Sequence, residues 1–313
     1  MSRAADAGRV LYGSAAKVAA SVTSQLRDQG SIRSLGTERN YRQCLRQCGE
    51  WLHEQYGKTA TITTMSVKTA YSYLDAIKGE VSQKTLDQHR QAVQMVLRDY
   101  SHKLEQGRTL TVIKSEKETQ QGPRAYTREQ VQEVAAHQTE RNAIATEIAY
   151  SAGLRAHELL TLERYEKGVS AEPMHREQKP SEQLYSEKFR GREGVSYVVT
   201  GKGGHVREVR IPAALAEKLE TRRLDTPRDV TDRKIHYTQH YDISGGNAWS
   251  RSFSRASEAA FGWSTGAHGL RHAYAQERMS ELQRSGFTKD GAQAVVSLEM
   301  GHYRPEITAT YLR

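Results

Sequence analysis

Between Thr37 and Tyr100 apolar residues recur at helical spacing three times, and from 101 to 125 that periodicity stops. A chain built this way cannot form one continuous layer. It must fold a helical module, extend a connecting stretch, and begin a second core. The first run sets Tyr41, Cys44, Leu45, Cys48, Trp51 and Leu52 on one face, with Arg39, Arg42, Arg46 and Glu50 between them. The second carries Val67, Ala70, Leu74 and Ile77; the third, with Ser82 as its N-cap, carries Leu86, Val93, Val96, Leu97 and Tyr100. Trp51, Tyr73 and Tyr100 are assigned to this module's core rather than to base stacking. Upstream, residues 1–30 are rich in Ala and Ser and read as an N-terminal extension with one helix, Val10 to Leu26, stopped at Gly30. The helical domain then spans 31–105. Residues 106–125, with Arg108, Lys114, Gly122 and Pro123, read as a basic linker.

The second domain, 126–313, opens at Thr127-Arg128-Glu129-Gln130, which has the form of a capping box. A helix from about Arg141 to Ala152 should end at Gly153, a residue suited to a left-handed C-terminal position. Val195–Thr200 and Val206–Ile211 are β-prone runs around Gly201-Lys202-Gly203-Gly204 and read as a hairpin ended by Pro212. The polar stretch from Ala171 to Glu187 reads as an inserted, mobile surface loop. The remainder is expected to be mostly helical, with segments near 249–260, 268–284 and 289–299 and a short last one ending at Tyr311. The fold class is therefore mainly α with a small antiparallel β-sheet.

Composition removes several functions. The 46 Lys and Arg against 37 Asp and Glu leave a net charge of +9, which favours a polyanionic partner, nucleic acid before a membrane surface. No run approaches the roughly 20 apolar residues of a membrane span, and the N-terminal residues lead into no secretory apolar segment. Cys44 and Cys48, four apart on one helix, read as two half-buried thiols in a reducing cytoplasm rather than a disulfide. With His53 alone nearby they do not make a zinc site.

Chemistry-bearing residues fall in the second domain. Arg155 follows the expected helix stop, with Glu158 three residues on. Lys202 sits at a hairpin tip, in a Gly-Lys-Gly-Gly run that lacks the spacing of a nucleotide P-loop. His268 and Arg271 are neighbours on one helix face. His268 and His272 could pair on a metal, but no Glu follows His268 in the zinc-protease manner. Gly301-His302 precedes Tyr311 by nine residues. Breaking a phosphodiester without a metal requires fixed cations aimed at its non-bridging oxygens, a nucleophile, a base and a proton donor. Arginine's planar fork suits the first of these roles, and the set contains candidates for each of the others.

The ordered set Ala152-Gly-Leu-Arg155-x-x-Glu158-Leu, Gly201-Lys202-Gly, His268-x-x-Arg271-His272, Gly301-His302 and Tyr311 resembles the tyrosine recombinase (phage integrase) family, over residues 31 to 313. The resemblance implies a helical core-binding domain and a mixed α/β catalytic domain that clamp double-stranded DNA. It implies that Arg155, Arg271 and His302 bind the scissile phosphate, that His268 accepts the Tyr311 proton, and that Lys202 protonates the leaving 5′-oxygen. Tyr311 would form a 3′-phosphotyrosyl link, and Glu158 would orient Arg155. Such a site-specific recombinase or integrase, part of a mobile element, needs neither ATP, metal nor other cofactor. It acts in the cytoplasm, at the nucleoid, as a homotetramer on two DNA sites, with an accessory directionality factor as a further partner. Two alternatives stay open: an inactive recombinase-derived DNA-binding regulator, and a type IB topoisomerase-like relaxing enzyme.

The sequence departs from the family pattern in two respects. It runs only to Leu312-Arg313 after Tyr311, where many relatives continue into a helix that docks on a neighbouring protomer. The intervals from Arg155 to Lys202 and from Arg271 to His302 are also long. The expectation is that the insertion at 165–194, or the N-terminal helix, supplies the assembly contact instead.

Overall fold

A computed structural model describes residues 9–118, 122–165, 181–201, 203–302 and 305–312. The chain divides into two compact units, Met1–Gln120 and Gln121–Arg313.

In the first unit, α1 (Ala15–Asp28), α2 (Leu35–Tyr56), α3 (Val67–Ile77) and α4 (Gln83–Met95) follow one another, and α4 runs on as a π-helical turn, Val96–Tyr100. Each helix starts on a serine: the side chains of Ser14, Ser34, Ser66 and Ser82 accept from the backbone N–H three residues on. An early orphan donor of every helix is thereby satisfied by the sequence itself. The apolar faces meet in one core that includes Val22, Leu26, Leu45, Leu52, Leu74, Val93 and Tyr100. Thus α1, read from the sequence as part of an extension, supplies core residues here. The stretch 110–116, read as linker, lies along α3 and α4: the Leu110 N–H donates to Gln94, the Ser115 N–H to Gln83, and the Glu116 N–H to the Lys78 carbonyl. Leu110 and Ile113, too sparse for helical periodicity, turn inward. Cys44 and Cys48 are both buried, not half-buried as their spacing was read. Burial pushes the Cys44 thiol up to about 11 and raises that of Cys48. These are packing residues.

The second unit begins with α5 (Arg128–Ala136), whose N-terminus has the reciprocal Thr127–Gln130 capping box, and α6 (Glu140–Ala152). Helix α6 buries Ile144, Ala145, Thr146, Ile148 and Ala149, so it runs through the core rather than over it. Gly153 ends it at φ 60°, ψ 38°. A Cβ there would stand 2.7 Å from the Tyr274 ring, so the position needs glycine for space as well as for conformation. A 3₁₀ turn, Glu158–Leu160, leads into β1 (Glu163–Arg164). Of the expected 171–187 loop, residues through 180 lie outside the described residues. Glu182–Ser186 is a short helix, α7, because Leu184 packs against a second apolar cluster described below. Strands β2 (Val195–Thr200) and β3 (Val206–Ile211) pair antiparallel from Val195↔Ile211 to Thr200↔Val206, and β1 adds to β2.

Helix α8 (Ala213–Glu220) follows Pro212, and then comes a second hairpin, β4 (Arg223–Asp232) with β5 (Ile235–Tyr241). The sequence pattern predicts a mostly helical region here. Its turn places Arg233 and Lys234 at φ 50° and 67° without a glycine, and Pro227 coincides with a register shift in β4. Neither is the usual hairpin signature. Helices α9 (Gly246–Phe261), α10 (Gly269–Arg284), α11 (Lys289–Glu299) and α12 (Pro305–Ala309) complete the unit. One core gathers around α6, β2, β3 and α9, and the second cluster holds Tyr274, Leu282, Val295, Met300 and Tyr311. Among the described residues no helix is long and apolar enough to cross a membrane.

Candidate active site

The loop after α6 brings the first guanidinium into place. The Arg155 N–H donates to Glu158 Oε2 at 2.8 Å, and Arg155 Nη1 donates to Glu158 Oε1 at 2.7 Å. Glu158 is fully buried, a position a carboxylate holds only when paired. Its second partner lies far along the chain. Arg207 of β3 donates from Nη2 to Glu158 Oε2 at 2.7 Å, and from Nη1 to the Glu299 carbonyl at 2.7 Å. The signal was present in the sequence: Arg207 shares the inward alternation of β3 with Val209 and Ile211, where a charge demands a partner. Burial raises the Glu158 pKa, but Arg207, Arg271 and Arg155 together outweigh it and hold the carboxyl well below the usual range.

Helix α10 supplies Arg271, which is 0% exposed. Its guanidinium donates to the Gly153 carbonyl, to the Met300 carbonyl at 2.5 Å, and to His302 Nε2 at 2.9 Å. Arg207 and Arg271 therefore take two successive carbonyls at the end of α11, where helix carbonyls lack intrahelical partners. That fixes the approach to Gly301-His302. Because His302 Nε2 accepts from an arginine, its hydrogen lies on Nδ1, which donates to Thr308 Oγ1 at 3.0 Å. Burial and the Arg271 charge push His302 down to about 3. The ring is neutral at physiological pH.

Tyr311 closes the site from above. Its ring stacks on His302 with centroids 5.1 Å apart, and the Arg271 guanidinium lies 5.6 Å from its centroid. Its hydroxyl is 3.1 Å from His268 Nε2. His268, at the N-terminus of α10, keeps exposed surface. Desolvation, then the charges of Arg271, His272, Arg124 and Arg155, push its imidazole down to about 4. It is neutral at neutral pH and able to accept a proton.

The structure thus gathers Arg155, Glu158, Arg271, His268, His302 and Tyr311. Lys202 lies outside the described residues. The hairpin tip nevertheless starts at this site, since a Cβ on Gly201 would stand 3.2 Å from Glu158 Oε1 and 4.0 Å from Arg155 Nη1. Three guanidiniums face one carboxylate among the described residues. Among the described residues the buried Nε of Arg207 and that of Arg271 have no acceptor, so the arrangement calls for an anion.

Two expected outcomes follow from this electrostatic balance. Glu158→Gln removes the one negative charge between Arg155 and Arg207 and turns an amide donor toward a guanidinium. It should cost about 3 kcal/mol or more, a fall in melting temperature of roughly 6–12 °C for a unit of this size. A thermal melt within 2 °C or so of wild type would contradict it. The second concerns acid. The His302 pKa is ordinarily 6.5 and in the fold is near 3, so the unfolded chain binds more protons between these values. Stability is then complete above pH 6.5 and falls as pH drops, by about 1.4 kcal/mol per pH unit for each proton. His272, also lowered, chiefly by burial, adds in the same direction. Melting temperature should decline steadily from pH 6.5 to 4.5; a flat profile would show that these rings are not held neutral.

No family model matches this chain, and no curated protein matches it in sequence. Solved structures do. A lambda integrase dimer bound to a COC′ core site superposes with a TM-score of 0.58 at 14% identity, over 95% of this chain and 77% of that one. A lambda integrase tetramer bound to a Holliday junction gives 0.56 at 13% identity, over 95% and 77%. XerH site-specific recombinase bound to palindromic difH substrate, in a post-cleavage complex, gives 0.55 at 14% identity, over 95% and 81%. At such identities the likeness speaks for architecture: this chain has the fold of the tyrosine recombinases.

Proposed function

We propose that this chain is a site-specific DNA recombinase or integrase that cuts and rejoins duplex DNA through a 3′-phosphotyrosyl intermediate, without metal or ATP. The observation that carries the reading is the Tyr311 hydroxyl held 3.1 Å from a neutral imidazole, over a buried arginine with an unsatisfied Nε. In this reading a DNA phosphate docks against Arg155, Arg271 and His302. The Tyr311 oxygen attacks phosphorus as its proton passes to His268. The bond to the 5′-oxygen breaks, and Lys202 gives that oxygen a proton. A 5′-hydroxyl then reverses the steps, so the phosphoester is exchanged rather than hydrolysed. The phosphate charge would also offset the arginines and lift the proton affinity of His268 as the tyrosine loses its proton. Glu158 orients Arg155 and Arg207.

The partner is double-stranded DNA, in line with the net charge and with the DNA-bound neighbours, and the working assembly is a homotetramer on two sites. A nicked duplex carrying the recombination site, identified in the DNA flanking the gene, provides the test. Cleavage near the nick releases a short strand that diffuses away and leaves the adduct trapped. A denaturation-resistant protein–DNA adduct is expected, and its absence would favour a DNA-binding regulator. Joining of that adduct to a second duplex is the outcome that separates recombination from relaxation of a single duplex.

A further inference from the structure

Tyr311 sits two residues beyond α12, a helix of five residues, and its backbone is held locally by one turn, the Tyr311 N–H donating to the Thr308 carbonyl at 2.8 Å. A hydroxyl on so short a tether needs more than its bond to His268 to stay at an attacking position. The rest comes from α10. His268, Gln276 and, between them, His272 are spaced at i, i+4 and i+8, so they form one stripe along the helix. The stripe meets Tyr311 along its whole length. His268 takes the hydroxyl. The His272 ring, buried, lies 4.8 Å from the tyrosine ring at 47°. Gln276 Nε2 donates to the Tyr311 carbonyl at 3.2 Å, and that carbonyl also faces His272.

We propose that His272 and Gln276 are positioning residues that hold the Tyr311 ring and backbone, so that one face of α10 sets the nucleophile's distance and direction. This inference rests on the cleavage reading above. Among the described residues neither side chain hydrogen-bonds to Arg155 or Arg271, so their loss should act on the nucleophile rather than on phosphate binding. Misplacement of a reacting atom by about 1 Å costs on the order of a hundredfold in rate.

The test is single-turnover adduct formation at saturating nicked duplex, with DNA affinity measured alongside. Gln276→Met keeps the length of the side chain and loses its donor; it should slow adduct formation tenfold or more while changing DNA affinity less than twofold. Gln276→Lys restores a donor and should recover most of the rate. His272→Ala should slow the same step by a similar factor. Gln276→Met or His272→Ala reacting at the wild-type rate would overturn the proposal. So would a Gln276→Lys as slow as Gln276→Met, or a loss confined to DNA affinity. Failure of the wild-type protein itself to form an adduct would instead refute the cleavage reading.

Discussion

Tyr311→Phe should abolish adduct formation, a loss on the order of 10⁴ or more in single-turnover cleavage, while DNA binding and folding stay close to wild type. The substitution is clean because the ring does most of the packing. Phenylalanine keeps the stack on His302, the contact over Arg271 and the place in the cluster with Tyr274 and Met300. Only the hydroxyl and its bond to His268 are lost, a stabilisation of about 1 kcal/mol. No other hydroxyl in the described network stands over Arg271 to replace it. Adduct detected at a tenth of the wild-type yield or above would mean that another residue is the nucleophile.

Arg271→Lys should reduce cleavage by roughly 10²–10³-fold, with DNA affinity changed severalfold at most. The side chain is buried and serves three acceptors in different directions, the Gly153 and Met300 carbonyls and His302 Nε2. An ammonium is a compact point charge that cannot span them. It would leave a buried carbonyl unpaired and release His302 from the ring orientation on which Tyr311 stacks. Affinity should be spared because binding of a duplex is spread over many phosphates, whereas this group serves one. Cleavage and melting temperature should be measured together. A variant that folds and cuts within tenfold of wild type would remove Arg271 from the phosphate role.

Much of this was legible before the fold. The Ser82 N-cap, the Thr127 capping box and Gly153 are local signals, decided by a few neighbouring atoms, and each lies where the sequence places it. The order of the reactive residues was legible through the resemblance to the tyrosine recombinase family. What escaped depends on distant partners. Arg207 gains its place only because Glu158, 49 residues earlier in the chain, comes beneath it. The β4–β5 hairpin is exposed along most of β4, so no alternation of apolar and polar residues announced it. Its tip is tied down by a long-range contact, the Asn247 N–H donating to Asp232 Oδ1 at 3.0 Å.

Phe189 and its neighbours show the same dependence. The Phe189 N–H donates to Glu299, Arg278 grips that carboxylate with two bonds and also takes the Arg190 carbonyl, and Arg192 pairs with Glu281. Residues of the 165–194 insertion are in fact bolted to α10 and α11, the helices that carry Arg271 and lead to His302.

Gly301 stands at φ 68°, and a Cβ there would come within 2.8 Å of Arg207 Cδ. Asparagine, which tolerates that backbone, would still collide. Positions 207 and 301 are therefore expected to covary among descendants of this chain: a side chain can be tolerated at 301 only in lineages where 207 has first become smaller. Any such lineage would also have to replace the second of the two arginines paired with Glu158, so drift at this glycine should be rare and should arrive as a three-residue exchange.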